Sequence, residues 1–514
     1  MESYEALLAR IQAKRVQDGR MSVGFAAYSD SDMFKTNTST KPLAKDFSAH
    51  FSAESSLRTH SVLKQAAAKH LKTPGLVSLG GGLPSSEYFP FSEISLRIPD
   101  PSTDSCAPDH DVTISKHDSR IGASEYDLSL ALNYGQPMGS PQMLRWITEH
   151  TEMLFNPPYA DWRACQTVGN TGALEQAIRL LCDRERGDSI LMEEYSFSTA
   201  IETIAPQGIK MFGVKMDAEG LLPDSMDQML RNWDAKTRGA RKPHVLYTIP
   251  TGQNPTGTTM SLERRQAVYA VCQEHDIFII EDDPYYFLQM QDQFDGRGID
   301  DDDKSAQKYF ENLVPTFLSL DTDGRVLRMD SFSKVVVPGA RLGWVTASAQ
   351  VIERFLAHAE VANQGPGGFS QLMLWKLLDE TWGHDGYMKW LCQMSKHYQR
   401  RRDVLLNACE EFLPRDIVTW DVPQAGMFIW IKVQHQKCSN TIESTAIELE
   451  EKIFDHAIAN GVLCARGSWF RVDSQKPLQE IFFRITFASA EEETMKVAIQ
   501  RLSAAIRQSF GTEK

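Results

Sequence analysis

Short, continuous apolar runs alternate with helix-like segments between about residues 165 and 347 of this chain. The runs predict buried strands, and segments such as Ala173–Cys182 and Leu262–His275 predict helices between them. Apolar strands separated by helices are typical of an α/β fold with a mainly parallel sheet that is covered on both faces. In such a fold, ligands bind beyond the carboxyl ends of the strands. The predicted strands are Ser189–Met192, Val245–Ile249, Ile277–Ile280, Arg325–Met329 and Leu342–Val345.

The rest of the chain predicts further parts around this sheet. A helix is expected over Ser61–Leu71. Surface insertions are expected at 98–125 and at about 291–311. Two more strands, Met427–Val433 and Ile481–Phe487, indicate a smaller α+β domain near the end of the chain. The predicted domains are an N-terminal arm (1–57), a segment that contributes to the small domain and carries a loop insertion at 98–125 (58–125), a large domain (126–349) and a C-terminal small domain (350–514).

Composition excludes several classes of function. The 514 residues carry a formal net charge of −14, whereas proteins that bind nucleic-acid phosphates concentrate basic charge. No apolar run reaches the roughly 18 residues of a membrane span. The first 20 residues are polar and partly acidic, which counts against a secretory signal. The eight cysteines are dispersed without a CxxC pair, so we expect reduced thiols, no metal site and a cytoplasmic location.

Four polar loops follow predicted strands, and each is ambiguous by itself. They are Thr167–Ala173 (TVGNTGA), which leads into a helix, Ile249–Gly257 (IPTGQNPTG), Ile280–Tyr286 (IEDDPYY) and Asp330–Lys334 (DSFSK), with Arg341 seven residues after the lysine. Separately they could be helix caps, turns or surface residues. Together they offer a lysine for an aldehyde cofactor, an acid for its ring nitrogen and a helix N-terminus for its phosphate.

The order GNTG, NPTG, EDDPYY, SFSK with a following arginine, and FRITF resembles the fold type I pyridoxal-phosphate (PLP) aminotransferases. The segments SLGGGLP and EYFPF are similar to the branch that holds fungal aromatic-amino-acid and 2-aminoadipate aminotransferases and the kynurenine aminotransferases. The resemblance covers roughly residues 43–505 outside the two insertions. It implies pyridoxal 5'-phosphate as cofactor, bound by the large domain 126–349.

The resemblance also implies roles for residues around the cofactor ring. Lys334 would bind the cofactor aldehyde and then move the proton at the substrate α-carbon. Asp283 would pair with the ring nitrogen; it is preferred to Asp282 because the family has a tyrosine three residues after the aspartate, and Tyr286 fits. Tyr286 and Asn254 would hydrogen-bond the ring oxygen, and Tyr195 would stack on the ring.

The remaining roles concern the phosphate and the substrate. Related enzymes often have serine and glutamine where Asn170 and Thr171 stand, which leaves these two side-chain roles open. Tyr134 would reach the phosphate of the neighbouring subunit, which implies a homodimer with shared active sites. The phosphate would be held by Asn170, Thr171, Gly172, Ser331, Ser333 and Arg341. Arg484 would bind the α-carboxylate of the substrate, and Asn254 would also contact the substrate. Gly82 would lie over it, and Arg58 would bind a distal carboxylate.

The expected activity is transfer of the amino group of an aromatic amino acid or 2-aminoadipate to a 2-oxo acid such as 2-oxoglutarate. A transaminase dedicated to a lysine-derived or secondary-metabolite pathway would show the same motifs. A PLP-dependent lyase or decarboxylase is disfavoured because Arg484 would hold the carboxylate. An aminotransferase-like transcription regulator is disfavoured as well, since residues 1–57 are too short and too acidic for a DNA-binding module.

Overall fold

The computed structural model describes residues 3–21, 24–36, 41–62, 79–80, 82–101, 108–290, 306–437 and 445–511. Most of the predicted helix Ser61–Leu71 and the acidic run Asp300–Asp303 lie outside these residues, as do Cys106 and Cys438. The six cysteines within them are buried and are not joined in disulfides. No helix formed by the described part of the chain is long and apolar enough to cross a membrane.

The strands of the described residues are numbered in chain order. They are β1 (Glu93–Pro99), β2 (Pro108–Ser115), β3 (Trp162–Thr167), β4 (Ser189–Glu193), β5 (Lys210–Val214), β6 (Met216–Asp217), β7 (Gly220–Leu221), β8 (Val245–Thr248), β9 (Phe278–Asp282), β10 (Val326–Ser331), β11 (Gly343–Ser348), β12 (Val418–Trp420), β13 (Phe428–Val433), β14 (Ala465–Arg466) and β15 (Ile481–Thr486).

Helices connect and cover these strands. The α-helices are Tyr4–Asp18, Ala53–Leu57, Asp118–Ile121, Leu128–Ala131, Pro141–Leu154, Asn170–Leu181, Ser198–Ile204, Pro223–Arg231, Ala235–Arg238, Leu262–Glu274, Ala306–Glu311, Phe317–Leu320, Ala349–Ala362, Gly368–Trp375, Gly383–Phe412, Ala446–Ala459 and Glu492–Phe510, with a π-helical turn at Lys376–Thr381.

The chain forms two compact units, which comprise residues 1–183, 278–284 and 304–393 in the first and 184–277, 285–303 and 394–514 in the second. In the first unit the strand order is β3-β11-β10-β9; β9 and β10 are parallel, and β11 is antiparallel to both its neighbours. Every residue of β9 and β10 is buried: the apolar residues, as their runs predict, and also the charged residues Glu281, Asp282, Arg328 and Asp330.

The second unit contains the parallel strands β8, β4 and β5, in that order, and a separate antiparallel sheet with the order β12-β13-β15-β14. The seven predicted strands are present, and their ends differ from the predicted ones by at most three residues. The prediction of an α/β fold with mainly parallel strands and an additional α+β part is confirmed.

Two segments are more regular than predicted. The expected loop at 98–125 contains β2, which pairs with β1 in an antiparallel hairpin, although residues 102–107 lie outside the described part. The predicted N-terminal arm contains the helix Tyr4–Asp18, which buries Tyr4, Leu7 and Ile11. These three residues recur at the three- and four-residue spacing of one helix face, but charged residues around them hide this pattern.

Candidate active site

The turn after β10 places two hydroxyl groups directly before Lys334. The Ser331 Oγ donates a hydrogen bond to Ser333 Oγ at 2.8 Å, and the backbone N–H of Ser333 donates to Ser331 Oγ at 3.1 Å. Phe332 between them is fully buried, with its ring centroid 5.0 Å from that of Trp344. The packed phenylalanine fixes the turn, so both serines and Lys334 leave β10 in a defined direction.

Arg341 lies over the N-terminus of the helix Asn170–Leu181. Its Nη1 is 3.4 Å from Ser333 Oγ, and its Nη2 is 3.4 Å from the carbonyl oxygen of Val168. The helix is capped by Gly169, which has φ +89°, and a Cβ there would stand 2.5 Å from Arg341 Nη2. Only glycine therefore permits this approach of the guanidinium to the backbone.

These groups form what we call the phosphate cradle: Gly169, Asn170, Ser331, Ser333 and Arg341. Backbone N–H groups in the first helical turn have no partner within the helix and form the positive end of its dipole. A guanidinium and two hydroxyls beside them complete a set of donors suited to a phosphate dianion. The cradle thus fits the phosphate of PLP. Thr171 and Gly172 continue the first turn of the helix, with Thr171 exposed.

The two aspartates at the end of β9 have different partners. Asp282 Oδ1 accepts a hydrogen bond of 2.7 Å from Asn170 Nδ2, which places this carboxylate beside the cradle. Asp283 Oδ2 instead accepts a hydrogen bond of 3.0 Å from the buried Arg328. The structure therefore brings Asp282 to Asn170, whereas Asp283, the predicted partner of the ring nitrogen, lies in an ion pair on the other side of the strand.

In the second unit, Arg484 on β15 lies among aromatic rings. Its Nη1 donates a 2.7 Å hydrogen bond to Asn254 Oδ1, and its guanidinium carbon lies 4.4 Å from the ring centroid of Phe428 and 4.8 Å from that of Phe470. Burial lowers the pKa of Arg484, while the nearby Tyr285 acts in the opposite direction. No carboxylate of the described residues forms an ion pair with this guanidinium, so it can receive an anionic ligand.

Tyr195 belongs to the same unit and packs in an aromatic group. Its ring centroid is 5.5 Å from that of Trp430 and 5.3 Å from that of Phe482. Its carbonyl oxygen accepts a 2.7 Å hydrogen bond from Gln253, the residue before Asn254, so this amide links Tyr195 to the loop that carries Asn254. Sequence reasoning did not single out Gln253, because the NPTG motif begins one residue later.

Of the two adjacent tyrosines, Tyr285 packs next to the arginine. Its ring is 5.8 Å from that of Phe428, which also contacts Arg484, whereas the Tyr286 ring packs against Phe287 at 5.0 Å. The structure therefore places Tyr285, and not the predicted Tyr286, against the ring that covers Arg484.

Three predicted residues lie at the surface of the first unit. The Tyr134 side chain is 60% exposed, and a Cβ at Gly82 would have no atom within 4 Å. Arg58 pairs with Glu54 one helical turn earlier, and its carbonyl oxygen accepts a hydrogen bond from Arg354. These contacts hold Arg58 at the end of a short helix, and the predicted roles of the three residues stay predictions.

Comparison with known proteins agrees with this geometry. The model of the family "Aminotransferase class I and II" matches residues 124–502. An aromatic amino acid aminotransferase of Schizosaccharomyces pombe is 44% identical over 481 residues, with 91% of this chain and 98% of the relative covered. The mitochondrial kynurenine/alpha-aminoadipate aminotransferase of Bos taurus is 32% identical over 476 residues, with 90% and 100% covered.

A solved structure is similar over nearly the same length. The aminotransferase Aro8 from Candida albicans superimposes with a TM-score of 0.84 at 37% sequence identity, with 92% of this chain and 100% of the other covered. The resemblance inferred from the motifs is thus confirmed at the level of sequence and of fold. The chain belongs to the class I and II aminotransferases, enzymes that use pyridoxal 5'-phosphate to exchange amino groups between amino acids and 2-oxo acids.

Proposed function

We propose that this aminotransferase transfers the amino group of an aromatic amino acid or of 2-aminoadipate to a 2-oxo acid such as 2-oxoglutarate. The surroundings of Arg484 carry the proposal. A guanidinium held by Asn254 and covered by the rings of Phe428 and Phe470 offers its remaining donors to a carboxylate, beside surfaces that favour an aromatic side chain. The names of the fungal and bovine relatives support the same donor classes.

The residues of the chain would divide the chemistry among them. When bound, PLP supplies an electron sink that acidifies the α-carbon of the amino acid. Lys334 Nζ would remove the proton from the α-carbon of the donor and, in the second half-reaction, deliver a proton to the α-carbon derived from the 2-oxo acid. The phosphate cradle would orient the cofactor, and Arg484 would fix the substrate through its α-carboxylate.

We revise two of the predicted cofactor contacts. Asp282 rather than Asp283 would hold the proton on the ring nitrogen, since Asp282 is the carboxylate that lies beside the cradle. The family spacing of three residues then assigns the ring oxygen to Tyr285, which packs next to Arg484. Asn254 keeps its predicted roles at the ring oxygen and at the substrate. Its hydrogen bond with Arg484 supports the role at the substrate.

We also propose a homodimer with shared active sites and a cytoplasmic location. The exposed Tyr134 supports the first, because a side chain that reaches a neighbouring subunit must be open to solvent in a single chain. The buried, reduced cysteines support the second, since thiols persist in a reducing compartment. Sedimentation equilibrium of the purified enzyme tests the dimer, and a monomer that is fully active would contradict it.

The activity is tested by supplying the PLP-loaded enzyme with single amino acids and measuring glutamate formed from 2-oxoglutarate. The panel contains phenylalanine, tyrosine, tryptophan, kynurenine and 2-aminoadipate, with aspartate, alanine and lysine as comparisons. We expect at least one aromatic donor or 2-aminoadipate to exceed the comparison amino acids in kcat/KM. Preference for aspartate or alanine would contradict the proposed donor class.

Replacing Arg484 with lysine tests the observation that carries the proposal. Lysine keeps the charge but loses the planar fork, which costs about 1.5–3 kcal/mol for hydrogen bonds to a carboxylate, or about 10- to 100-fold in kcat/KM. We expect the loss to appear for every donor, because each carries an α-carboxylate. Arg501→Lys is the matched control: this exposed arginine of the same unit donates a hydrogen bond to the carbonyl oxygen of Gly461, so its replacement leaves kcat/KM unchanged.

A further inference from the structure

Arg328, in the middle of β10, is surrounded by three carboxylates. Its Nη1 lies 3.1 Å from Glu281 and 3.0 Å from Asp283, and its Nη2 lies 2.8 Å from Asp330. The Nε of the arginine donates a further 3.0 Å hydrogen bond to Asp330. All four side chains are almost completely inaccessible to solvent, and we call them the Arg328 cluster.

The register of β9 and β10 determines which residues of β9 Arg328 contacts. β9 and β10 are parallel, with Arg328 opposite Glu281 and Met329 opposite Asp282. Because successive side chains of a strand face opposite sides, Glu281 and Asp283 share the face of the arginine, and Asp282 points the other way. The guanidinium thus holds the residues before and after Asp282 while Asp282 itself contacts Asn170.

The cluster is anchored to its surroundings as well. Glu281 also accepts hydrogen bonds from the backbone N–H groups of Phe317 and Leu318, at 2.9 and 3.1 Å. The guanidinium of Arg328 lies 4.3 Å from the ring centroid of Phe155. A buried charge without partners would be costly, so all of these contacts favour one arrangement of the strand ends.

The charges of the cluster explain why an arginine is needed at this position. One guanidinium faces three carboxylates, and burial raises the pKa of Asp330 to about 7 although Arg328 opposes this shift. Without Arg328, three acidic groups would share a buried site with no cation among them. These groups would then take up protons or repel one another, and the ends of β9 and β10, which carry Asp282 and lead into Lys334, would lose the ion pairs that hold them.

We propose that Arg328 is a positioning residue for the cofactor site. Through Glu281 and Asp283 it fixes the direction of Asp282, and through Asp330 it fixes the end of β10 from which the Ser331–Lys334 turn departs. Arg328 touches neither cofactor nor substrate; it acts through the strands. The proposal rests on the proposed role of Asp282 and Lys334 in PLP binding and proton transfer.

The test compares Arg328→Met and Arg328→Lys with the wild-type enzyme. We measure the dissociation constant of pyridoxal 5'-phosphate by titration of the apoprotein, kcat and KM for the best amino donor, and the thermal midpoint of the apoprotein. For Arg328→Met we expect cofactor binding weaker by about 10- to 100-fold, the range seen when a supporting hydrogen-bond partner is lost. We expect kcat to fall while KM for the donor changes little, since Arg484 binds the substrate. We expect Arg328→Lys, which keeps the positive charge, to bind the cofactor more tightly than Arg328→Met but less tightly than the wild type.

Arg325→Met is the matched control. Arg325 immediately precedes β10, is buried, pairs with Asp323 at 2.9 Å and lies over the ring of Phe47, but stands at the opposite end of the strand from Lys334. We expect it to lower the thermal midpoint without changing cofactor affinity. Equal effects of Arg325→Met and Arg328→Met on all three measurements would overturn the proposal and leave Arg328 a purely structural residue.

If Arg328→Met does not fold, Arg328→Lys alone decides the question, because its charge is retained and its fork is lost. Cofactor affinity equal to wild type in this variant would overturn the proposal. A wild-type protein that takes up no cofactor would overturn the proposed function itself, and this inference with it. A wild type that binds PLP and an Arg328 variant that binds it equally would overturn the inference only.

Discussion

Asp282 and Asp283 are neighbours in the chain, yet they belong to different chemical environments. Asp282 contacts Asn170 beside the phosphate cradle, and Asp283 pairs with the buried Arg328. The sequence could not distinguish them by spacing, because each has a tyrosine three residues later. The alternation of side chains along β9 separates the two aspartates, but using it requires knowing which face of β9 lies beside the phosphate cradle. The pairing of β9 with its neighbouring strand determines this face.

Asparagine substitutions at these two positions should have different effects. Asp282→Asn removes the negative charge that would keep the ring nitrogen protonated, so we expect kcat to fall by about 10²- to 10³-fold, as when a preorganised electrostatic partner is lost. Asp283→Asn leaves an oxygen that still accepts from Arg328, so we expect a lower thermal midpoint and nearly normal kcat. Steady-state kinetics and thermal unfolding of both variants check this.

The absorption spectrum of the bound cofactor as a function of pH gives a second readout. We expect Asp282→Asn alone to change the profile. If Asp283→Asn changed the profile and Asp282→Asn did not, the assignment made from the sequence would be restored.

At the scale of single elements, the helix Asn170–Leu181 and the turn after β10 form the phosphate cradle together. The helix is capped by a glycine, Gly169, because a side chain at this position would meet Arg341. The family resemblance implied phosphate roles for these loop residues, and the structure brings Asn170, Ser331, Ser333 and Arg341 close together in the first unit. Their role toward the phosphate stays a prediction.

Gly169→Ala tests the cradle. The new Cβ would stand 2.5 Å from Arg341 Nη2 and would displace the guanidinium. We expect the dissociation constant of pyridoxal 5'-phosphate to rise about tenfold or more, which corresponds to the loss of one charged hydrogen bond. Equilibrium titration of the apoprotein measures this.

Gly187→Ala is the control for backbone strain. Gly187 also has a positive φ, +72°, but a Cβ there meets nothing within 4 Å. Both variants therefore carry a similar conformational cost, and only Gly169→Ala should lose cofactor affinity. Equal affinities in the two variants would show that the crowding at Arg341 is unimportant for the phosphate.

Elements were predictable where one period dominates the sequence. The buried strands contain apolar runs, and the helix Asn170–Leu181 is regularly amphipathic. The helix Leu262–Glu274 has no such period, but it begins after Ser261, a typical N-cap residue. The β1–β2 hairpin and the N-terminal helix were missed because their apolar residues are few and separated by charges. They are stabilised by contacts distant in sequence, such as Arg15 with Glu149 and Asp379, which no local pattern can reveal.

At the scale of the whole molecule, a buried charge network fastens the N-terminal helix to the first unit. Arg15 contacts Glu149 at 2.5 Å and Asp379 at 2.6 Å, and His384 contacts the same Glu149 at 3.0 Å. Burial alone would raise the pKa of Glu149, but hydrogen bonds from Arg15 and His384 outweigh it and lower the pKa to about 2. The ionised carboxylate therefore stabilises the folded protein.

This network predicts how stability depends on pH. An unfolded glutamate has a pKa of about 4.3, so the stabilisation by Glu149 is complete above about pH 5 and is lost as the pH falls from about 4.3 to about 2. Glu149→Gln should cost about 3 kcal/mol at pH 7, or roughly 3 °C in the thermal midpoint of a chain of this length. The difference from wild type should shrink near pH 3.

Glu493→Gln is the control, because Glu493 is an exposed residue paired only with the surface Lys496, and it should leave the midpoint unchanged at both pH values. A difference between wild type and Glu149→Gln that is as large at pH 3 as at pH 7 would contradict the argument. Thermal unfolding followed by circular dichroism at the two pH values provides the comparison.

The N-terminal helix also constrains the order in which a nascent chain can fold. The Tyr4 hydroxyl donates to Asp385, 381 residues later, and Arg15 contacts Asp379, 364 residues later. At roughly 5–20 residues per second, the ribosome needs about 20–80 s to deliver these partners. Until then the helix can pair with Glu149, but its contacts with Asp379 and Asp385 are missing. We therefore expect the N-terminal helix to reach its final packing only after the segment around residues 379–385 has been synthesised.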